Sequence, residues 1–365
     1  MDDFMLMCVI LTILLSISAI ILNSVCIGII AKSRSLMKRP STLLILNLLV
    51  VHFLQGFIVF PFYAAKKTDI TSYRNRQIVC DGFRFTYMVS FYAAIMAVFL
   101  ITLDRLLATC FVLRYRQIVT KKRIAVMLVF KWIYVIALCL IPFKDNGDSK
   151  KNMLIQYNKT VSKNMTSSPL VQLSPECHYH QSQLWTILML VINCALPYGL
   201  VIIFYFRILS SINIIQHRTE RSRTCTSTNL VPYNGNLETN SHSQSPPCQR
   251  TASLKDKERE QLYAITRTCI IIGISYLFLW LPSVIYYVIF RACPECFPEH
   301  WEETREEQYV AFFMKFLAFL DATAAPVIYC VMSMEFRKQA RHKKHESDSY
   351  VTKSHYSAAQ QNYQY

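Results

Sequence analysis

The chain has 365 residues, 53% of them hydrophobic and only 17% charged, with seven glycines, a mean hydropathy of +0.26 and a formal net charge of +16. That balance excludes an ordinary soluble globular domain, which carries more charge and more glycine. The positive charge does not indicate nucleic acid either, because it gathers in the segments between apolar runs and so follows a membrane topology.

Seven apolar runs lie at about 5–31, 41–63, 80–112, 124–143, 183–212, 262–290 and 309–332. Each reaches the ~20 residues that a helix needs to cross ~30 Å of hydrocarbon. The pattern predicts an all-α membrane protein: a seven-transmembrane helix bundle over residues 1–344, then a disordered cytoplasmic tail over 345–365. Span 1 has no small-residue cleavage site behind it and reads as a retained anchor. It carries Asn23 and is followed by Lys32, Arg34, Lys38 and Arg39. Span 2 sets His52 in an apolar run, where a charged residue costs roughly 2.5 kcal/mol or more and usually faces the bundle interior. Lys66, Lys67, Arg74 and Arg76 follow on the opposite side. Span 3 opens at Cys80, and its Arg84, Tyr87, Phe91, Ala94, Val98, Ile101 and Arg105 share one helical face. It closes on Asp104-Arg105-Leu106, a charged pair placed where the interface and the partner satisfy it.

Span 4 carries Trp132. The loop behind it holds Asn158-Lys-Thr and Asn164-Met-Thr, the only two glycosylation sequons. They put this loop and the N-terminus outside and the C-terminus inside, in agreement with the basic segments after spans 1, 3 and 7. Of thirteen cysteines, four then fall outside: Cys80, Cys177, Cys293 and Cys296. An even number in an oxidising compartment predicts two bridges, Cys80–Cys177 and Cys293–Cys296. Span 5 carries Pro197 and Tyr205. The inner loop of about 213–258, rich in Ser, Thr, Asn and Arg, reads as disordered, and its Arg250-Thr-Ala-Ser253 resembles a basic-directed kinase site.

Span 6 carries Trp280, Pro282, Tyr286 and Tyr287, and span 7 carries Lys315, Asp321, Pro326 and Tyr329. Pro197, Pro282 and Pro326 each remove a helical hydrogen bond and set a kink. Between these spans six glutamates, among them Glu306 and Glu307, form an acidic rim. Residues 334–341 suit a short amphipathic eighth helix on the inner leaflet. No internal repeat favours a transporter. No His-Glu-x-x-His or Gly-x-Ser-x-Gly favours an enzyme, and no motif requires a cofactor or a metal.

One marked position per span, in this order, resembles the rhodopsin-like (class A) family of G-protein-coupled receptors: Asn23, Asp104-Arg105, Trp132, Pro197 with Tyr205, Trp280-Leu281-Pro282 and Pro326-Val327-Ile328-Tyr329. The resemblance implies an extracellular ligand, a heterotrimeric G protein, receptor kinases and arrestin as partners, with membrane lipids around the bundle. It implies that Arg105 is released on activation and lines the G-protein cavity near Tyr205 and Tyr329, and that Trp280 is sensitive in its rotamer. Leu262 stands where the family places the acid that pairs with Arg105, which implies a weak or displaced lock and high basal signalling. A non-coupling receptor is the alternative.

The central departures concern span 2 and span 7. His52 stands where the family has a sodium-binding aspartate, and Ala94 and Ala325 replace two further polar residues, so sodium is not expected. Asp321 stands where asparagine is more usual. His52 and Asp321 are each eleven residues from the inner end of their span, roughly 16 Å deep. A His52–Asp321 pair is therefore expected, with a neutral His52 bonded to Asn23 or water as the alternative. Tyr87 occupies the position of the aspartate of aminergic receptors and Phe319 that of the opsin lysine, so neither a monoamine nor retinal is expected. The ligand residues implied are Tyr63, Arg84, Tyr87, Phe91, Tyr286, Tyr287 and Lys315. They favour an anionic small molecule or lipid. A short peptide drawn by the acidic rim is the alternative, and Lys315 reaching outward to water the bland one.

Overall fold

The computed structural model describes residues 3–68, 73–141, 188–228, 247–298, 304–333 and 336–337. Asn158, Asn164, Cys177 and the tail over 345–365 lie outside the described residues. Seven helices are long and apolar enough to cross a membrane: α1 (Asp3–Lys32), α2 (Pro40–Lys67), α3 (Ile78–Cys110), α4 (Lys121–Ile141), α5 (Leu188–Ile212), α6 (Tyr263–Phe290) and α7 (Arg305–Met332). All described regular structure is helical, and the fold is the seven-helix bundle that the apolar runs predict.

Local chemistry sets the helix ends. Pro40 opens α2 in its first turn, where a missing N–H costs nothing. The Thr304 hydroxyl accepts from the Glu307 N–H at 3.1 Å and caps α7, with Glu306 and Glu307 at its positive end. At the outer end of α2 the Thr68 hydroxyl donates to the Ala65 carbonyl at 2.9 Å, so that Lys67, like Glu307 behind Thr304, belongs to its helix.

Prolines shape the interiors. A π-helical turn occupies Gln55–Val59 in α2 and another Val191–Ala195 in α5. Each ends two residues before a proline, Pro61 and Pro197. A proline has no N–H and crowds the carbonyl four residues behind it, and a widened turn relieves both defects. α7 is interrupted at Leu320, between helices Arg305–Phe319 and Asp321–Met332.

α3 packs on α2, α5 and α6, while α7 packs on α1, α2 and α6. Phe57, Phe130, Phe206 and Phe278 point outward and are exposed. Asn23, His52, Asp104, Arg105, Lys131 and Asp321 are buried. An apolar exterior around a polar interior suits a lipid solvent, in which buried polar groups must be satisfied within the bundle.

The inner loop departs from the sequence reading at both ends. Helical backbone continues to Thr228 behind α5, and a helix that starts at Pro247 runs into α6. Residues 213–228 contain neither proline nor glycine, so nothing stops the hydrogen-bond ladder. Pro247 sits at the first position of its helix, which proline tolerates well. Residues 229–246 lie outside the described residues.

Candidate functional site

The centre of the bundle is organised around one carboxylate oxygen. His52 Nε2 lies 3.1 Å from Asp321 Oδ2, and the two side chains are 0% and 1% exposed. The Trp280 Nε1–H donates to the same oxygen at 3.3 Å. Helices α2, α6 and α7 therefore meet at a single atom. A carboxylate only accepts, so His52 presents its Nε2–H. The break at Leu320 makes Asp321 the first residue of a new helix, with its charge at that helix's positive end. Asn23 does not join this set. Its Nδ2 donates to the Ala19 and Ala322 carbonyls at 2.7 and 2.8 Å, tying α1 to the backbone of α7 one residue past Asp321.

At the inner end of α3, Arg105 Nε donates to Asp104 Oδ2 at 2.9 Å, and Arg105 Nη2 donates to Asp104 and to the Ser41 hydroxyl of α2. Tyr115 lies on the short helix Val112–Ile118 that follows α3. Its hydroxyl donates to Asp104 Oδ1 at 2.8 Å and meets the Ser41 hydroxyl at 3.0 Å. Burial, and then the adjacent Asp104 charge, push the Tyr115 phenol up to about 12. It is a protonated donor at any physiological pH. Tyr205 accepts from the Thr102 hydroxyl at 3.0 Å. It fits because α6 has Gly273 opposite, where an added Cβ would fall on the Tyr205 hydroxyl. Tyr329 packs on the buried ring of Phe336 at 5.3 Å between centroids. The side chain of Leu262, and those of the nearby acids Glu258 and Glu260 that stand out of line with the family's lock position, lie outside the described residues.

Above Trp280 the lining is aromatic. Phe91 lies 4.8 Å and Tyr87 6.1 Å from the Trp280 ring, and Tyr63 lies 5.4 Å from Phe319. Tyr286 and Tyr287 meet edge to face at 5.0 Å, and Lys315 Nζ stands 5.2 Å over the Tyr287 ring. The Tyr286 hydroxyl donates to Glu307 Oε1 at 3.5 Å. Arg84 is buried and already engaged by a neighbour. Cys293 and Cys296 are bridged to each other, and Cys80 is disulfide-bonded.

The sequence pattern of the 7 transmembrane receptor (rhodopsin family) matches residues 22–329, from beside Asn23 to Tyr329. The chain belongs to that family. Members are signalling receptors rather than enzymes, and this receptor is a multi-pass membrane protein. It is similar to the 5-hydroxytryptamine receptor 1F of Homo sapiens, 20% identical over 354 residues that cover 87% of each chain. The 5-hydroxytryptamine receptor 1B of Mus musculus is 24% identical over 355 residues, 90% of this chain and 84% of its own. The histamine H2 receptor of Cavia porcellus is 25% identical over 199 residues, 54% of this chain and 50% of its own.

Four receptor residues escape sequence reasoning. Ser41 and Tyr115 are unremarkable in the chain, yet they hold Arg105 and Asp104. Lys67 looks like a helix-end lysine bound for water. Lys131 carried the clearest signal, a lysine in the middle of span 4. It is 7% exposed and donates to Asn47 Oδ1 at 3.2 Å and to the Ala93 carbonyl at 3.4 Å. The Trp132 Nε1–H shares Asn47 Oδ1 at 3.0 Å, so α4 is pinned to α2 through one amide and to α3 through the Ala93 carbonyl.

Proposed function

We propose that this receptor recognises an anionic small molecule or lipid at its outer aromatic site and converts that binding into activation of a heterotrimeric G protein at its inner end. The observation that carries the ligand class is Lys315, whose ammonium stands over Tyr287 at 5.2 Å with no ion pair among the described residues. A cation that makes no ion pair there, with only the longer-range charge of Glu307 on it, favours a carboxylate or phosphate. The similar receptors are named for 5-hydroxytryptamine and histamine. An amine ligand would want an acid on α3, where this chain presents Tyr87 between Phe83 and Trp280.

The signal passes through the Asp321 junction. A ligand that moves Tyr87 or Phe91 presses on Trp280, which shares Asp321 Oδ2 with His52. The junction stands in place of a sodium ion and links α2, α6 and α7 directly. The Arg105 guanidinium, released from Ser41 and Asp104, then opens the G-protein cavity beside Tyr205 and Tyr329. The outer loops and the N-terminus face outside in this reading. Receptor kinases and arrestin act from the inner side.

The test is a response screen of the full chain in cells, read as cyclic AMP and calcium, with lipids, carboxylates, nucleotides, peptides and monoamines. Anion responses are expected, abolished by Arg105→Ala and selectively lost in Lys315→Ala. A response to 5-hydroxytryptamine or histamine that survives Lys315→Ala overturns the ligand class. Responses unchanged in Arg105→Ala overturn the coupling route.

A further inference from the structure

The outer ends of α2 and α7 form a cleft with a chemistry of its own. On α2, Tyr63 and Lys67 are four residues apart and share a face; on α7, Lys315 and Phe319 do the same. The inner member of each pair touches the other, with the Tyr63 and Phe319 rings at 5.4 Å. These helices run in opposite directions, so Lys67 and Lys315 both project from one turn further out, above the same pair of rings. Both lysines are half-buried, and neither has an ion pair among the described residues. Lys67 feels the charge of Lys315, and both lysines feel that of Glu307. Tyr63 is 2% exposed, and among the described residues neither its hydroxyl nor the buried Tyr287 hydroxyl has a partner.

Two like charges held together on a partly buried floor of rings are costly unless an anion joins them. Two unpartnered phenols beside them are ready-made donors for the same anion. Lys67, Lys315 and Glu307 together carry one net positive charge, Lys66 stands 5.6 Å over the neighbouring Phe83 ring, and Glu307 repels any second negative charge on a ligand. The head that fits is a monoanion. Inward of the lysines the walls are Phe60, Phe83, Tyr87 and Phe319, with the buried Arg84 beside Phe83 on α3 already engaged by a neighbour. A wholly hydrophilic anion would leave that wall without a partner.

The structure assigns this cleft to the head of a single-chain anionic amphiphile. Lys67 and Lys315 clamp the head, Tyr63 and Tyr287 donate to it, and the apolar chain runs inward over the rings toward Trp280. This rests on the anionic-ligand reading above and narrows it from anions at large to amphiphiles with one negative charge. It also makes Lys67 a specificity residue equal to Lys315.

The experiment is equilibrium binding of radiolabelled oleate to the full chain in phosphatidylcholine nanodiscs. The Lys67→Met/Lys315→Met double variant supplies the background for partition into lipid. Saturable binding is expected, displaced by unlabelled long-chain carboxylates but not by oleyl alcohol or succinate. Each single variant should weaken it about tenfold, the scale of one charge-assisted hydrogen bond. Lys67→Arg and Lys315→Arg should retain it, which separates lost charge from lost folding. Displacement by succinate as strong as by oleate overturns the amphiphile and leaves the anionic site standing. Binding of neither anion above the double-variant background overturns both.

Discussion

At the inner end of α3 the charged atoms are tied to one another. Asp104 accepts from Arg105 and Tyr115, and Arg105 reaches Ser41 as well. At the outer ends of α2 and α7, Lys67 and Lys315 make no ion pair among the described residues and feel Glu307 only at longer range, and the Tyr63 and Tyr287 hydroxyls have no hydrogen-bond partner there. The contrast separates two uses of charge in one bundle. A closed set holds a conformation, because any movement must break its bonds. An open set holds nothing by itself and stabilises whatever supplies the missing charge. The Asp321 junction lies between them and belongs to the closed kind, although Asp321 Oδ1 and His52 Nδ1 have no partner among the described residues.

Substitutions can break or sharpen this contrast. The largest effect is expected at the junction: Asp321→Ala strands the His52 and Trp280 donors in a sealed interior and should destabilise the receptor by roughly 3–5 kcal/mol, read as a lowered Tm in detergent. A Tm within a degree of wild type would mean that the junction does not hold the helices. Gly273→Ala should follow, since the new methyl displaces Tyr205 at about 1–3 kcal/mol and disturbs coupling more than ligand binding. Tyr115→Phe removes one bond from the closed inner set. It should cost about 1 kcal/mol and raise basal guanine-nucleotide exchange roughly fivefold.

That Tyr115 effect has a defined pH behaviour. A phenol raised from ~10 to about 12 contributes fully below the unfolded value and loses its contribution only as pH climbs through the folded one. The difference between wild type and Tyr115→Phe should therefore be the same at pH 6.5 and 8.5. A difference that shrinks across that interval would show that the hydroxyl is not a protonated donor to Asp104. The smallest effect belongs to the open set: Lys67→Met and Lys315→Met should each change stability by no more than about 0.5 kcal/mol. A large loss at either position would make the outer lysines structural and erase the contrast.

Legibility in the sequence follows the same division. Seven spans were readable because hydrocarbon thickness imposes a length on each apolar run. His52 and Asp321 were readable as a level pair because helical rise converts residue count into depth, and the structure brings them to 3.1 Å. Trp280 as a third member was not readable, since the rotation of α6 about its axis is set by packing and not by count. Ser41 and Tyr115 were hidden for a related reason. They act from a helix start and a short connecting helix, whose positions depend on how α2 and α3 pack. Lys131 was overlooked because no acid matched it; its acceptors are an amide and a carbonyl, which composition cannot flag.

The π-helical turn at Gln55–Val59 carries one residue more than an α-helical path would need. At 3.6 residues per turn, that extra residue shifts the residue register beyond it by roughly 100°. It stands between His52 and the Tyr63–Lys67 face, and so divides α2 into two independently phased halves. The widened turn absorbs that residue, so its removal would restore an α-helical path and leave Tyr63 and Lys67 on their shared face. The part of α2 that carries Tyr63 and Lys67 and the part that meets Asp321 thus keep separate residue registers within one continuous helix.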